Sequence, residues 1–126
     1  MASRLKVYFD GGCRPNPGTM ELAVVAAGHS YIVRDLGYGT SEDAEWLALM
    51  HALRTVRSLG RTEFVLLGDA LSVIGPAMGT AKCRGPAIRH LRAYQALVGS
   101  APMPLVRYIK RTQNLAGIAL AGLHPR

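Results

Sequence analysis

Phe64-Val65-Leu66-Leu67 is an unbroken apolar run, closed by Gly68 and Asp69. A strand with one wet face alternates apolar and polar residues. An unbroken run has no polar face, so it predicts a strand buried on both sides, inside a sheet covered by helices. The other periodicities fit that frame. Leu5–Asp10 alternates, with Leu5, Val7 and Phe9 on one face, and reads as a first strand. The stretch from Gly11 to Gly18, rich in Gly and Pro, reads as a turn. Two more strands are expected around Glu21–Ala27 and Ser30–Arg34, joined through Gly28 and His29. Residues 41–57 carry Trp46, Leu49, Leu53 and Val56 on one helical stripe. Thr40 or Ser41 caps that helix, Glu42 and Asp43 suit its positive end, and Gly60 marks its stop. Beyond the buried strand, Ala70–Met78 reads as a short helix and Pro86–Val98 as a basic one. Leu105–Arg111 reads as a strand, and a last helix runs from an Asn114 cap through Leu123. Three meandering strands followed by α/β alternation predict an α/β fold: a mixed sheet with helices on both faces.

A chain of 126 residues buries about two thirds of its unfolded surface. Residues 1–126 are therefore expected to form one domain without disulfides or a structural metal. Hydrophobic residues at 49% and charged residues at 18% exclude a disordered chain. Cys13 and Cys83 make neither a disulfide framework nor a zinc site and are expected to be free thiols. Leu22–Ala27 is too short for a leader sequence, and Leu115–Leu123 falls short of the ~20 apolar residues of a membrane span. The expectation is a cytoplasmic protein with no membrane partner. Oligomeric state leaves no trace in the sequence.

The net charge is +7, and its distribution says more. All eight carboxylate side chains lie within residues 1–69, whereas residues 70–126 carry eight Lys and Arg and no acid. Such a basic half points to an anionic partner, nucleic acid first, against the plainer reading of a solubilising surface.

Asp10 ends the first predicted strand and Asp69 ends the buried one. If those strands are parallel neighbours, both carboxylates emerge at the same edge of the sheet, where open α/β sheets place their sites. Glu45 lies one turn before Leu49 and shares the sheet-facing side of its helix. Singly, each acid has an ordinary reading: a turn residue, a helix cap, a complement to the helix dipole. Jointly they converge, and three converging carboxylates need a cation. All-oxygen donors suit Mg²⁺ or Mn²⁺. Beside a basic surface, that arrangement serves metal-assisted phosphodiester hydrolysis.

Four segments carry a resemblance. They are Asp10-Gly11-Gly12-Cys13-x-x-Asn16-Pro17-Gly18, Thr40-Ser41-Glu42-Asp43-Ala44-Glu45-Trp46-x-Ala48-Leu49, Gly68-Asp69-Ala70-x-x-Val73-Ile74, and Arg111-x-x-Asn114 followed by Leu120-Ala121. In order and spacing the sequence resembles the type 1 ribonucleases H from about residue 5 to residue 121. The resemblance implies an RNase H-like mixed five-stranded sheet, three antiparallel strands then parallel ones. It implies an endonuclease that cuts the RNA strand of RNA–DNA hybrids with two Mg²⁺ or Mn²⁺ ions. Asp10, Glu45 and Asp69 would be the catalytic metal ligands, with Asp10 bridging the ions. Gly12, Cys13, Asn16 and Ser41 would meet the RNA strand. Apart from the resemblance, Arg84, Arg89 and Arg92, with Lys82, read either as a solvated face or, the favoured reading, as a row that tracks DNA phosphates. Arg111 and Asn114 are placed on the nucleic-acid face, against the plainer reading that they only fix the last helix.

The sequence also departs from that family. The fourth carboxylate falls four residues after Asn114, at Ile118, and no acid beyond Asp69 replaces it. The second ion is therefore expected to be held weakly. Glu42 stands where the family has an asparagine, and Ala70 where it has a serine. Two alternatives stay open at this point: a nucleic-acid-binding domain with little catalysis, and another nuclease, a resolvase or exonuclease, on the same fold.

Overall fold

The structure, a computed structural model, describes residues 4–124. Strands β1 (Leu5–Cys13), β2 (Gly18–Ala26) and β3 (His29–Val33) lead into a two-residue strand β4 (Tyr38–Gly39) and the long helix α1 (Ser41–Ser58). Next come β5 (Phe64–Gly68), α2 (Leu71–Met78), α3 (Ala87–Val98) and β6 (Val106–Tyr108). A single 3-10 turn (Arg111–Gln113) precedes the last helix, α4 (Leu115–Ala121). The strand order is β3-β2-β1-β5-β6, with β4 beside β2. Pairings β1–β2 and β2–β3 are antiparallel, whereas β1–β5 and β5–β6 are parallel. This is the expected mixed sheet, with β4 as one short strand more.

Alternation along the strands divides the molecule into two packed layers. Val7 and Phe9 of β1, and Leu22, Val24 and Ala26 of β2, face the main core with Trp46, Leu49, Leu53 and Val56 of α1. On the other face, Ala23 packs with Ala116 and Leu120 of α4, flanked by Tyr8 and Val25. Helices thus cover both faces, and Val65, Leu66 and Leu67 are all buried between them. Full burial of side chains such as Leu49 and Leu53 contributes about 1.5–3 kcal/mol each.

Several boundaries move, each for a local reason. The first strand does not stop at Asp10: it runs on through Gly11, Gly12 and Cys13, paired with Met20–Leu22. The glycines suggest a turn, but Gly11 serves a close approach. A Cβ there would run into the Ala44 carbonyl at the start of α1. The β2–β3 hairpin turns at Ala27 and Gly28, one residue earlier than expected, and both take positive φ, as a two-residue hairpin loop demands. Thr40, not Ser41, caps α1. Its side chain accepts from the Asp43 backbone while the Asp43 carboxylate accepts from the Thr40 N–H. The last strand is short, because only Val106–Tyr108 pair with β5.

α1 and α3 are fastened near both ends. Arg57, in the last turn of α1, donates to the carbonyls of Leu97 and Val98 at 2.7 and 3.3 Å. His90 of α3 meets Asp43 in the first turn of α1 at 2.7 Å. Among the described residues no helix is long and apolar enough to cross a membrane.

Candidate active site

Parallel pairing of β1 with β5 ends at Tyr8 and Leu67. Two residues further on stand Asp10, still within β1, and Asp69, just past the end of β5, at the carboxyl edge of the parallel pair. Gly68 keeps that edge tight, since a Cβ there would strike the Phe9 ring. Glu45 arrives from α1, whose start rests on Gly11. One carboxylate oxygen from each of Asp10, Glu45 and Asp69 lies within 4.8 Å of the others.

Each acid is held differently. Glu45 is buried, and its Oε1 accepts from the Gly11 N–H. Asp69 accepts from the Asn114 amide at 3.0 Å. The same amide donates to the Phe9 carbonyl at 3.0 Å, and the Asn114 side-chain oxygen caps α4 by accepting from Ala116 N–H. Asp10 faces α4, where the Cβ of an alanine at Gly117 would sit 3.4 Å from its Oδ2. Burial and mutual repulsion oppose ionisation of this group. Burial first, then the Asp10 charge, push the Glu45 carboxyl up to about 9. Asp10 is raised to about 6, chiefly by burial, while its hydrogen bond to Glu45 and the Arg111 guanidinium pull the other way. Among the described residues none of the three acids forms an ion pair.

The carboxylates open into a cavity of ≈ 510 Å³. Of the residues assigned to nucleic acid, Gly12, Cys13, Ser41 and Arg111 line it. Asn16 is exposed beside it, its side-chain oxygen accepting from Ser41 N–H at 3.1 Å. The Cys13 thiol is buried between Asn16, Gly39 and Ser41, so only its backbone can face a ligand. Arg84 and Arg89 are exposed but stand on the segment before α3 and on α3 itself, outside the cavity. Asn114 is a correction. It is 0% exposed and its amide is fully engaged, so its side chain presents nothing to a nucleic acid. Its place is between β1, Asp69 and α4.

Ile118 lines the cavity and is 55% exposed. It is not packed in the interior, so an acid there would meet solvent and carry little burial penalty. Sequence reasoning missed Glu21, which lines the same cavity and pairs with Arg34 at 3.3 Å and with His124. Alternation across β2 carried the signal, because Glu21 stands opposite Gly12 and two residues from Ala23, the partner of Asp10.

Comparison with known proteins agrees with this geometry. A family model described as reverse transcriptase-like matches residues 9–124. A ribonuclease HI of Halobacterium salinarum is 30% identical over 125 residues, covering 94% of this chain. The chain spans 62% of that relative's length. The crystal structure of an RNase H1 from the same archaeon has a TM-score of 0.79 at 26% identity, covering 95% of this chain and 99% of the other. The N-terminal RNase H domain of a Mycobacterium tuberculosis protein has a TM-score of 0.78 at 25% identity, covering 96% of each chain. The chain belongs to the reverse transcriptase-like family, and in sequence and structure it is similar to the type 1 ribonucleases H.

Proposed function

We propose that this protein is a metal-dependent endonuclease that hydrolyses the RNA strand of RNA–DNA hybrids. One observation carries the reading: three carboxylates lie within 4.8 Å with no ion pair to any of them among the described residues. Such a cluster has the donor chemistry of a hard divalent-ion site, and its raised carboxyls are what a cation would lower. Asp10, Glu45 and Asp69 would hold Mg²⁺ or Mn²⁺. Two such ions bound there would supply activation of a water and charge stabilisation of the leaving oxygen.

The chain's own groups do the rest. Gly11 N–H fixes Glu45, and Asn114 fixes Asp69. Arg111 offers its guanidinium to a phosphate at the cavity wall. Gly12, Cys13, Asn16 and Ser41 stand at or beside the cavity, where backbone and side-chain groups can read the 2′-hydroxyls that separate RNA from DNA. Arg84, Arg89, Lys82 and Arg92 give a duplex phosphates a second place to rest. With Ile118 on the α4 side, this chain offers no fourth carboxylate, so a second ion would be held weakly. Two free thiols agree with a cytoplasmic location.

Cleavage of a labelled hybrid in Mg²⁺ or Mn²⁺ tests the reading, with duplex RNA, duplex DNA and branched DNA in parallel. RNA-strand cleavage of the hybrid is expected, lost in Asp10→Asn. No cleavage with either ion at high enzyme contradicts it. The second reading, a nucleic-acid-binding domain with little catalysis, is favoured by Ile118 alone. It predicts salt-sensitive hybrid binding without cleavage.

A further inference from the structure

The first turn of α1 is clamped from α3 by a single side chain. His90 Nε2 lies 2.7 Å from Asp43 Oδ1. The other Asp43 oxygen, Oδ2, accepts from Thr40 N–H at 2.9 Å, closing the α1 cap. The His90 ring also lies parallel to the Trp46 indole, with centroids 6.3 Å apart and planes 11° apart. Asp43 and Trp46 are three residues apart and share one helix face. Glu45 stands between them on the adjoining face, buried against Gly11. One α3 side chain thus holds the two residues that flank Glu45 in sequence, on the neighbouring helix face, although His90 does not line the carboxylate cavity.

We propose that His90 is a positioning residue for Glu45. It fixes the pose of the first turn of α1, hence the approach of Glu45 to Gly11, Asp10 and Asp69. It also ties that pose to α3, which carries Arg89 and Arg92. Both contacts fall within two residues of Glu45, at Asp43 and Trp46, so they bear on the stretch of helix that carries it. The assignment rests on the reading of Asp10, Glu45 and Asp69 as a divalent-ion site.

Three side chains separate the bond from the ring. His90→Ala removes both, His90→Gln keeps a donor to Asp43, and His90→Phe keeps a ring against Trp46. Two readouts are taken on the protein without nucleic acid: Mn²⁺ affinity by calorimetry, and exchange of the Gly11 amide, which donates to Glu45. Turnover and KM on a hybrid are measured beside them. His90→Ala is expected to weaken Mn²⁺ affinity and lower kcat about tenfold, the size typical of a group that orients a metal ligand. Its KM changes less than twofold, and Gly11 exchange in the metal-free protein speeds up about tenfold. His90→Gln recovers most of these losses and His90→Phe does not. Variants that lose thermal stability but keep wild-type Mn²⁺ affinity, kcat and Gly11 exchange overturn the assignment. A wild-type protein that binds no Mn²⁺ overturns the functional reading instead. The Gly11 exchange then still decides whether His90 holds Glu45 in place.

Discussion

The carboxylate cluster has two unlike walls. On the α1 side the acid is present, buried and secured: Glu45 meets Gly11, the helix start is capped by Thr40, and Asn16 and His90 hold the first turn. On the α4 side the helix begins with equal care, since Asn114 caps it and holds Asp69. One turn on, it offers Gly117 and the half-exposed Ile118. One wall supplies a carboxylate and scaffold, the other scaffold only. A site built this way should hold one ion well and a second poorly.

The largest effect belongs to the residue both walls share. Asp10→Asn is expected to abolish cleavage, a loss of several kcal/mol or roughly 10³-fold, read as hybrid turnover. Asn114→Ala tests whether the α4 wall matters as scaffold. It removes a buried cap and frees Asp69. The expected costs are about 1–2 kcal/mol in a denaturant titration and on the order of 10- to 100-fold in activity. An unchanged activity would reduce that wall to packing.

The α1 wall makes a prediction in pH. Glu45 is raised from 4.5 to about 9 in the folded, metal-free protein. The folded state therefore binds more protons than the unfolded one. Stability from this group is full below about 4.5 and is lost as pH rises through about 9. Asp10, raised from 3.8 to about 6, acts with the same sign lower on the scale. Urea midpoints of metal-free protein should fall from pH 5 to pH 9, and Glu45→Gln should flatten that fall. Added Mg²⁺ should restore the midpoint at high pH.

The smallest effect is the gain from completing the open wall. Ile118→Asp places an acid on an exposed position, so the metal-bound fold should change by roughly 0.5 kcal/mol or less, as surface substitutions do. Apparent Mg²⁺ affinity in turnover is expected to rise on the order of tenfold, a gain of about 1.4 kcal/mol.

The same contrast explains what could be read in the sequence. Asp10, Glu45 and Asp69 were legible because strand ends and a helix face follow from local pattern, and parallel pairing then aligns them. The unbroken run at Phe64–Leu67 was enough to ask for helices on both faces. Three features depend on which element touches which, and local pattern does not encode that. Gly11 and Gly12 read as turn residues, yet they continue β1 beneath α1. Asn114 reads as a cap on the nucleic-acid face, but α4 buries it against Asp69, 45 residues away in sequence. His90 gives no signal until α3 lies against α1, because its partner Asp43 is 47 residues distant. Glu21 was reachable from alternation along β2, which puts it on the same face as Ala23, the partner of Asp10; its pairing with Gly12 needed only β1 to run past Asp10.

Cleavage of a hybrid as a function of Mg²⁺, run on the wild-type protein and Ile118→Asp together, tests the central claim most directly. The RNA strand should be cut by both, with half-saturation about tenfold lower in Ile118→Asp. Hybrid binding without cleavage by either protein, at any Mg²⁺ or Mn²⁺ concentration, would contradict it.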